Sequence, residues 1–146
     1  MTMGESIKLR YDVNGEDFVT CGQASEDVKR TLKGIGIPSA TIRRVSIAMY
    51  EGEINMVIHG GGGVAEVEIF ESKITIVLKD TGKGIADIEK AMQEGYSTAT
   101  EDIRELGFGA GMGLPNMKKY SDEFAIESRV GQGTTVTMTI NFQEDA

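Results

Sequence analysis

Residues 6–13 alternate polar and apolar positions, with Ile7, Leu9, Tyr11 and Val13 on one face, which is the period of a half-buried strand. Asn14 with Asp17 three residues on has the spacing of a capping box. After it Phe18, Cys21, Ala24 or Ser25, Val28, Leu32 and Ile35 recur at threes and fours, predicting an amphipathic helix to about Lys33. Gly34 and Gly36 end that helix and Pro38 prevents its continuation. Ser39 caps a long second helix through Ile42, Val45, Met49, Ile54 and Ile58, stopping at His59 before the glycine run 60–63. Two apolar, β-branched runs, 64–70 and 73–79, flank Glu71-Ser72 and read as a hairpin. A glycine-punctuated loop over 80–84 leads to a short helix, 85–94, with Ile85, Ile88 and Met92 as its apolar face. Residues 95–113 have mixed polarity and five glycines and read as a long mobile segment, of a length that in compact domains is a functional lid or disordered. A helix at 114–120 and strands at 123–129 and 134–142, joined at 131–133, complete the chain.

The resulting order is β-α-α-β-β-α-lid-α-β-β. Paired neighbouring strands favour a mixed, mainly antiparallel sheet with helices on one face, an α+β two-layer sandwich. At 146 residues, with no repeat or linker, the expectation is a single domain over 1–146. Composition narrows the function classes. Fifteen Lys plus Arg against twenty-three Asp plus Glu give a net charge of −8, which argues against sequence-independent nucleic-acid binding. No apolar stretch reaches the ~20 residues of a membrane span and residues 1–10 hold no signal-peptide core, so the cytoplasm is the expected location and no membrane partner is expected. A single cysteine, Cys21, excludes an internal disulfide and a multi-cysteine zinc site. Nineteen glycines are roughly twice the average share of ~7%, and their clustering points to the chemistry.

Asp80-Thr81-Gly82-Lys83-Gly84-Ile85 follows a strand. Its glycines let backbone approach a ligand, and a carboxylate at a strand end can accept from an exocyclic amine such as adenine N6; a tight turn with an Asp cap has the same sequence. Gly107-Phe108-Gly109-Ala110-Gly111-Met112-Gly113-Leu114 opens into a helix. Alternating glycines leave N–H groups free for phosphate oxygens, and the helix N-terminus adds a favourable dipole; a hinge without ligand would also fit. The run is neither a Walker loop nor a Rossmann fingerprint, since no Gly-Lys-Ser/Thr follows and a lid precedes it. Glu51 and Asn55 lie one turn apart on one helix face. An Asn oxygen suits Mg²⁺ and a nearby Glu suits proton abstraction, although the pair in isolation reads as a solvated face. Gly133-Thr134-Thr135 enters the last strand, where Thr hydroxyls would be able to support Asp80; read alone, it is a turn followed by a good β sequence.

Taken in order, Glu51…Asn55, Asp80-x-Gly82-x-Gly84, a lid, Gly109-x-Gly111-x-Gly113 and Gly133-Thr134-Thr135 resemble the N box and three G boxes of the Bergerat-fold (GHKL) ATPases. Within that superfamily the chain is most similar to the small serine kinases and anti-sigma factors of the RsbT, RsbW and SpoIIAB type. Asn55-Met-Val-Ile-His59-Gly60 and Ser121-Asp-Glu-Phe124 are similar to sequences of that group. The resemblance implies that Asn55 holds Mg²⁺, Asp80 binds the adenine amino group, and Gly82, Gly84 and Ile85 shape the adenine pocket. Gly107, Gly109, Gly111, Met112, Gly113 and Leu114 would close over the phosphates or line the site. Thr135 would assist at the adenine, and Glu51 would be the catalytic base. Four features depart from the pattern: Gly52 within the helix, Glu53 as a second carboxylate on another face, the rich glycine run 60–63, and the segment 98–106, longer than in RsbT-like chains and nearer the RsbW or SpoIIAB lid. The implied activity is an Mg·ATP-dependent serine/threonine kinase acting on a STAS-domain antagonist, with a sigma factor as a second candidate partner and a homodimer as candidate assembly. The alternative is an ATP-binding anti-sigma module that switches partners without useful kinase activity.

Overall fold

The computed structural model describes residues 6–14, 22–58, 61–82, 92 and 113–142. Its strands are β1 (Ile7–Asn14), β2 (Gly62–Ile69), β3 (Lys73–Asp80), β4 (Glu123–Arg129) and β5 (Gly133–Asn141); its helices are α1 (Gln23–Gly34), α2 (Ser39–Ile58) and α3 (Gly113–Tyr120). The sheet order is β1-β2-β3-β5-β4, and every described pairing is antiparallel. The architecture is the expected α+β sandwich. The helix expected at 85–94 and nearly all of the segment 95–113 lie outside the described residues, as do Phe18, Cys21 and His59. No described helix is long and apolar enough to cross a membrane.

Alternation along each strand assigns one face of the sheet to the helices. Ile74, Ile76 and Leu78 on β3, Val67 and Ile69 on β2, and Val136, Met138 and Ile140 on β5 are buried against Val28 and Leu32 of α1 and Val45 and Met49 of α2. Intervening residues such as Lys8, Arg10, Glu66, Lys73 and Lys79 face outward. Helix α2 packs on α1, on α3 and on four strands, so it is the spine of the helical layer. Gly52 sits where that spine meets the sheet: a Cβ there would lie 2.1 Å from Leu78 Cδ1. The ~1 kcal/mol that glycine costs within a helix is thus tied to the close approach of α2 to β3.

Helix α1 departs from the expected start. It begins at Gln23 after Gly22, whose φ of 101° is left-handed and whose position offers no side-chain cap. The cap arrives from another helix. Glu53 of α2, only 2% exposed, accepts hydrogen bonds from the backbone N–H groups of Gly22 (3.0 Å) and Ser25 (2.7 Å). First-turn N–H groups have no partner within their own helix, so a buried carboxylate satisfies them and the helix dipole together.

Candidate functional site

Asp80 ends β3 between two glycines. On one side it pairs with Gly63 of β2, where an added Cβ would lie 2.1 Å from Lys79 O and 3.0 Å from Asp80 Cα. On the other side Gly133, with φ 103°, leaves no room at all: its Cβ would sit 2.1 Å from Asp80 O. Neighbouring backbone therefore closes on both flanks of the aspartate. Asp80 Oδ1 accepts from the N–H of Gly82 (3.0 Å) and from the N–H of Thr134 (3.2 Å). Two backbone donors fix the carboxylate's orientation, and both address the same oxygen. Among the described residues, none donates a hydrogen bond to Oδ2.

The second part of the site forms where α3 docks on α2. Gly113, the first residue of α3, lies against the Asn55 carboxamide: an added Cβ would meet Asn55 Oδ1 at 2.9 Å and Nδ2 at 3.0 Å. One turn back along α2 and one turn on along α3, the Asn116 side chain lies beside Glu51 and favours its charged form. The two helices thus run antiparallel, with an i,i+4 pair on one matched to an i,i+3 pair on the other. Glu51 is half-buried. Burial pushes its pKa up, and the Asn116 side chain opposes that rise only in part. A half-buried carboxylate whose proton affinity is raised is suited to accept a proton.

The two parts share one wall. The Cβ that Gly63 lacks would also meet Met56 Cε at 2.8 Å, and Met56 is the neighbour of Asn55 on α2. Leu78 and Met117 both approach Gly52 on the turn between Glu51 and Asn55. Gly63 beside Asp80 thus touches Met56 of α2, and Gly113 at the start of α3 touches Asn55, the residue before Met56. Gly84, Ile85, Gly107, Gly109, Gly111 and Met112 lie outside the described residues.

Thr135 falls on the wrong face. It pairs with Lys79 and Glu127 on the outward side of the sheet, whereas Thr134 follows the parity of buried Val136 and Met138. Support for Asp80 comes from the Thr134 backbone N–H and not from a threonine hydroxyl; Thr134 Oγ1 instead shares a hydrogen bond with Ser128 Oγ at 2.7 Å. Adjacent threonines look alike in sequence, and only the strand register decides between them. Gly63 was legible as part of an over-rich glycine run. Asn116 carried no signal, since an Asn in a first helical turn is ordinary.

Glu53, two residues from Glu51, points the opposite way. It closes a separate cleft of about 1020 Å³ lined by Tyr11, Asp27, Arg30, Ser46 and Tyr50 among others, and none of Glu51, Asn55 or Asp80 borders it.

Residues 19–140 match the family model for histidine kinase-like ATPase domains. The chain belongs to the histidine kinase-like ATPase family. Membership implies ATP as ligand, and a fixed aspartate between close-packed glycines beside a helix N-terminus suits a nucleotide. Among its relatives, an anti-sigma F factor of Thermoanaerobacter sp. is 43% identical over 103 residues, 67% of this chain and 68% of that protein. The serine/threonine-protein kinase RsbT of Bacillus subtilis is 31% identical over 124 residues, covering 82% of this ATPase-family chain and 85% of that one. These relatives set it in the anti-sigma regulatory kinase class. The solved RsbU and RsbW domains of a Mycobacterium tuberculosis protein share the fold, with TM-score 0.63 at 18% identity over 96% of this chain and 34% of that one.

Proposed function

We propose that this protein is an Mg·ATP-dependent serine/threonine kinase that phosphorylates a hydroxyl on a STAS-domain antagonist and thereby switches partners in transcription control. The observation that carries this reading is the meeting of Glu51 and Asn55 with the first turn of α3, which puts a base and an oxygen donor beside a helix N-terminus. Asp80 Oδ2 accepts the adenine amino group. The α3 N-terminus faces phosphate with its dipole. Asn55 would hold Mg²⁺ through its side-chain oxygen, and the ion would supply neutralisation of phosphate charge. Glu51 takes the proton of the serine or threonine hydroxyl while that oxygen bonds to the γ-phosphorus, and the bridging oxygen leaves with its electron pair on ADP. Positioning and charge neutralisation suffice for this chemistry.

The experiment is phosphotransfer from labelled ATP to the STAS-domain proteins of the same organism, with Glu51→Gln as the discriminating variant. Gln keeps the size of the side chain and removes the base. Transfer falls by at least ~10²-fold while ATP affinity stays near normal. Wild-type transfer by Glu51→Gln removes Glu51 from the role of base. A second reading is favoured by the name of the Thermoanaerobacter relative, anti-sigma F factor: a module that sequesters a sigma factor with ATP as conformational ligand. It takes over if the unmodified protein binds its antagonist and never phosphorylates it.

A further inference from the structure

Asp80 Oδ1 is held by the N–H of Thr134, and that N–H belongs to the same peptide unit as the carbonyl of Gly133. The unit sits at a soft point of the chain. Gly133 has φ 103° and no side chain to restrain it. It closes the β4–β5 hairpin, whose tip residue Val130 is 69% exposed. Among the described residues, the side chain that grips this unit is Ser128 of β4, which faces Thr134 across the strand pair. The Ser128 hydroxyl donates to Gly133 O at 3.2 Å and meets Thr134 Oγ1 at 2.7 Å. A serine hydroxyl has one proton, and a carbonyl can only accept, so Thr134 Oγ1 is the donor in the second contact.

Three hydrogen bonds therefore run in series, from the Thr134 hydroxyl to Ser128, from Ser128 to Gly133 O, and from the N–H across that planar peptide to Asp80. Each bond polarises the next, and any tilt of the peptide at its oxygen is carried to its N–H. The register supports the same connection. One step on from the Lys79–Thr135 pair, Asp80 stands level with Thr134, so Asp80, Thr134 and Ser128 form a polar row across β3, β5 and β4. The next row on that face, Leu78, Val136 and Ile126, belongs to the apolar core.

We propose that Ser128 is the positioning residue for the adenine end of the site: by holding the Gly133–Thr134 peptide it fixes Oδ1 of Asp80 and thereby aims Oδ2 at the exocyclic amine of the base. Ser128 acts through the peptide and needs no contact with the nucleotide. The proposal rests on the reading of Asp80 as the acceptor of that amine.

The test compares two nucleotides by calorimetry on the whole chain: Mg·ATP, and the Mg complex of purine riboside triphosphate, which differs from ATP only in lacking the 6-amino group. The unmodified protein prefers ATP by roughly tenfold. Ser128→Ala weakens ATP binding by roughly three- to tenfold and leaves purine riboside triphosphate within about twofold, because that ligand offers Asp80 no donor. Ser128→Thr, which keeps the hydroxyl, restores most of the preference. In the Asp80→Asn background, Ser128→Ala weakens ATP by no more than about twofold. Equal losses for the two nucleotides mean that Ser128 only stabilises the hairpin, and they overturn the proposal; so does an undiminished ATP preference in Ser128→Ala. If the unmodified protein binds both nucleotides alike, the reading of Asp80 itself fails, and the role of Ser128 falls with it. Should Ser128→Ala fail to fold, Ser128→Cys, with a weak donor in place of the hydroxyl, carries the same comparison, and a full ATP preference in that variant overturns the proposal.

Discussion

Burial of the Glu51 side chain disfavours the charged form of its carboxylate. Burial raises its pKa above the ordinary glutamate value, more than the Asn116 side chain lowers it. The folded state therefore binds this proton more tightly than the unfolded chain does, and Glu51 contributes most to stability below its unfolded pKa of about 4.3. That contribution is lost as pH rises through the raised value. Glu51→Gln, which cannot ionise, should consequently unfold at a higher temperature than the unmodified protein at pH 7.5, with the difference vanishing near pH 4. Thermal unfolding followed by circular dichroism across that range checks the sign; a Gln variant less stable at pH 7.5 would show that the carboxylate is not strained. Gly133 is the other residue whose local chemistry is exacting. With φ 103° and Asp80 O only 2.1 Å from where a Cβ would be, Gly133→Ala meets both backbone strain and a clash with main chain. A loss of ~2–4 kcal/mol in urea unfolding is expected, together with weakened ATP binding, because Asp80 is the group displaced.

Among the elements, α2 organises the molecule by presenting different chemistry on each side. Glu51 and Asn55 turn toward α3, Gly52 lets the sheet approach, and Glu53 reaches under the start of α1. A helix turns ~100° per residue, so neighbours as close as Glu51, Gly52 and Glu53 serve three separate packing partners. The link to α1 is the one with the largest structural consequence. Glu53→Ala leaves the N–H groups of Gly22 and Ser25 buried without acceptors, since both lie at buried positions. We expect a loss of about 2 kcal/mol in stability and faster hydrogen exchange in the first turn of α1, with ATP affinity little changed. Exchange rates that stay at their unmodified values would mean that α1 is capped in some other way. Tyr11 adds to the same corner: its hydroxyl donates to Asp27 of α1, and burial, then Asp27, pushes its pKa well up.

For the molecule as a whole, ligand binding and folding are one equilibrium. In the reading proposed above, the nucleotide site draws on α2, α3, β3 and the start of β5, elements that are adjacent only in the folded chain. ATP accordingly binds the native state alone and stabilises it by mass action, ~2.7 kcal/mol at a concentration one hundred times Kd. For a domain of this size that corresponds to a rise in Tm of roughly 5–10 °C. Asp80→Asn should abolish most of this rise while leaving the ligand-free Tm nearly unchanged, because an Asn oxygen can still accept from Gly82 and Thr134. A full ATP-induced shift in that variant would mean that Asp80 does not bind the adenine.

Periodicity and glycine spacing in the sequence determine the strands, the helices and the close approaches around Asp80 and Asn55, because these are local properties: alternation of two for strands, three to four for helices, and bare backbone wherever something must approach. Val28 and Leu32, Val45 and Met49, Ile74 and Ile76 are buried as their spacing requires. Glu51 and Asn55 share a face for the same reason. What tertiary structure decided are the pairings between elements. Whether Thr134 or Thr135 stands beside Asp80 depends on the register of β5 against β3, and one residue of slip reverses it. That Glu53 caps α1, and that Gly113 abuts Asn55, depends on how helices cross, which no spacing within one helix encodes. A side chain's partner across an interface is fixed by packing of the whole core, so chemistry that lies along the chain is legible in it and chemistry that lies between elements is not.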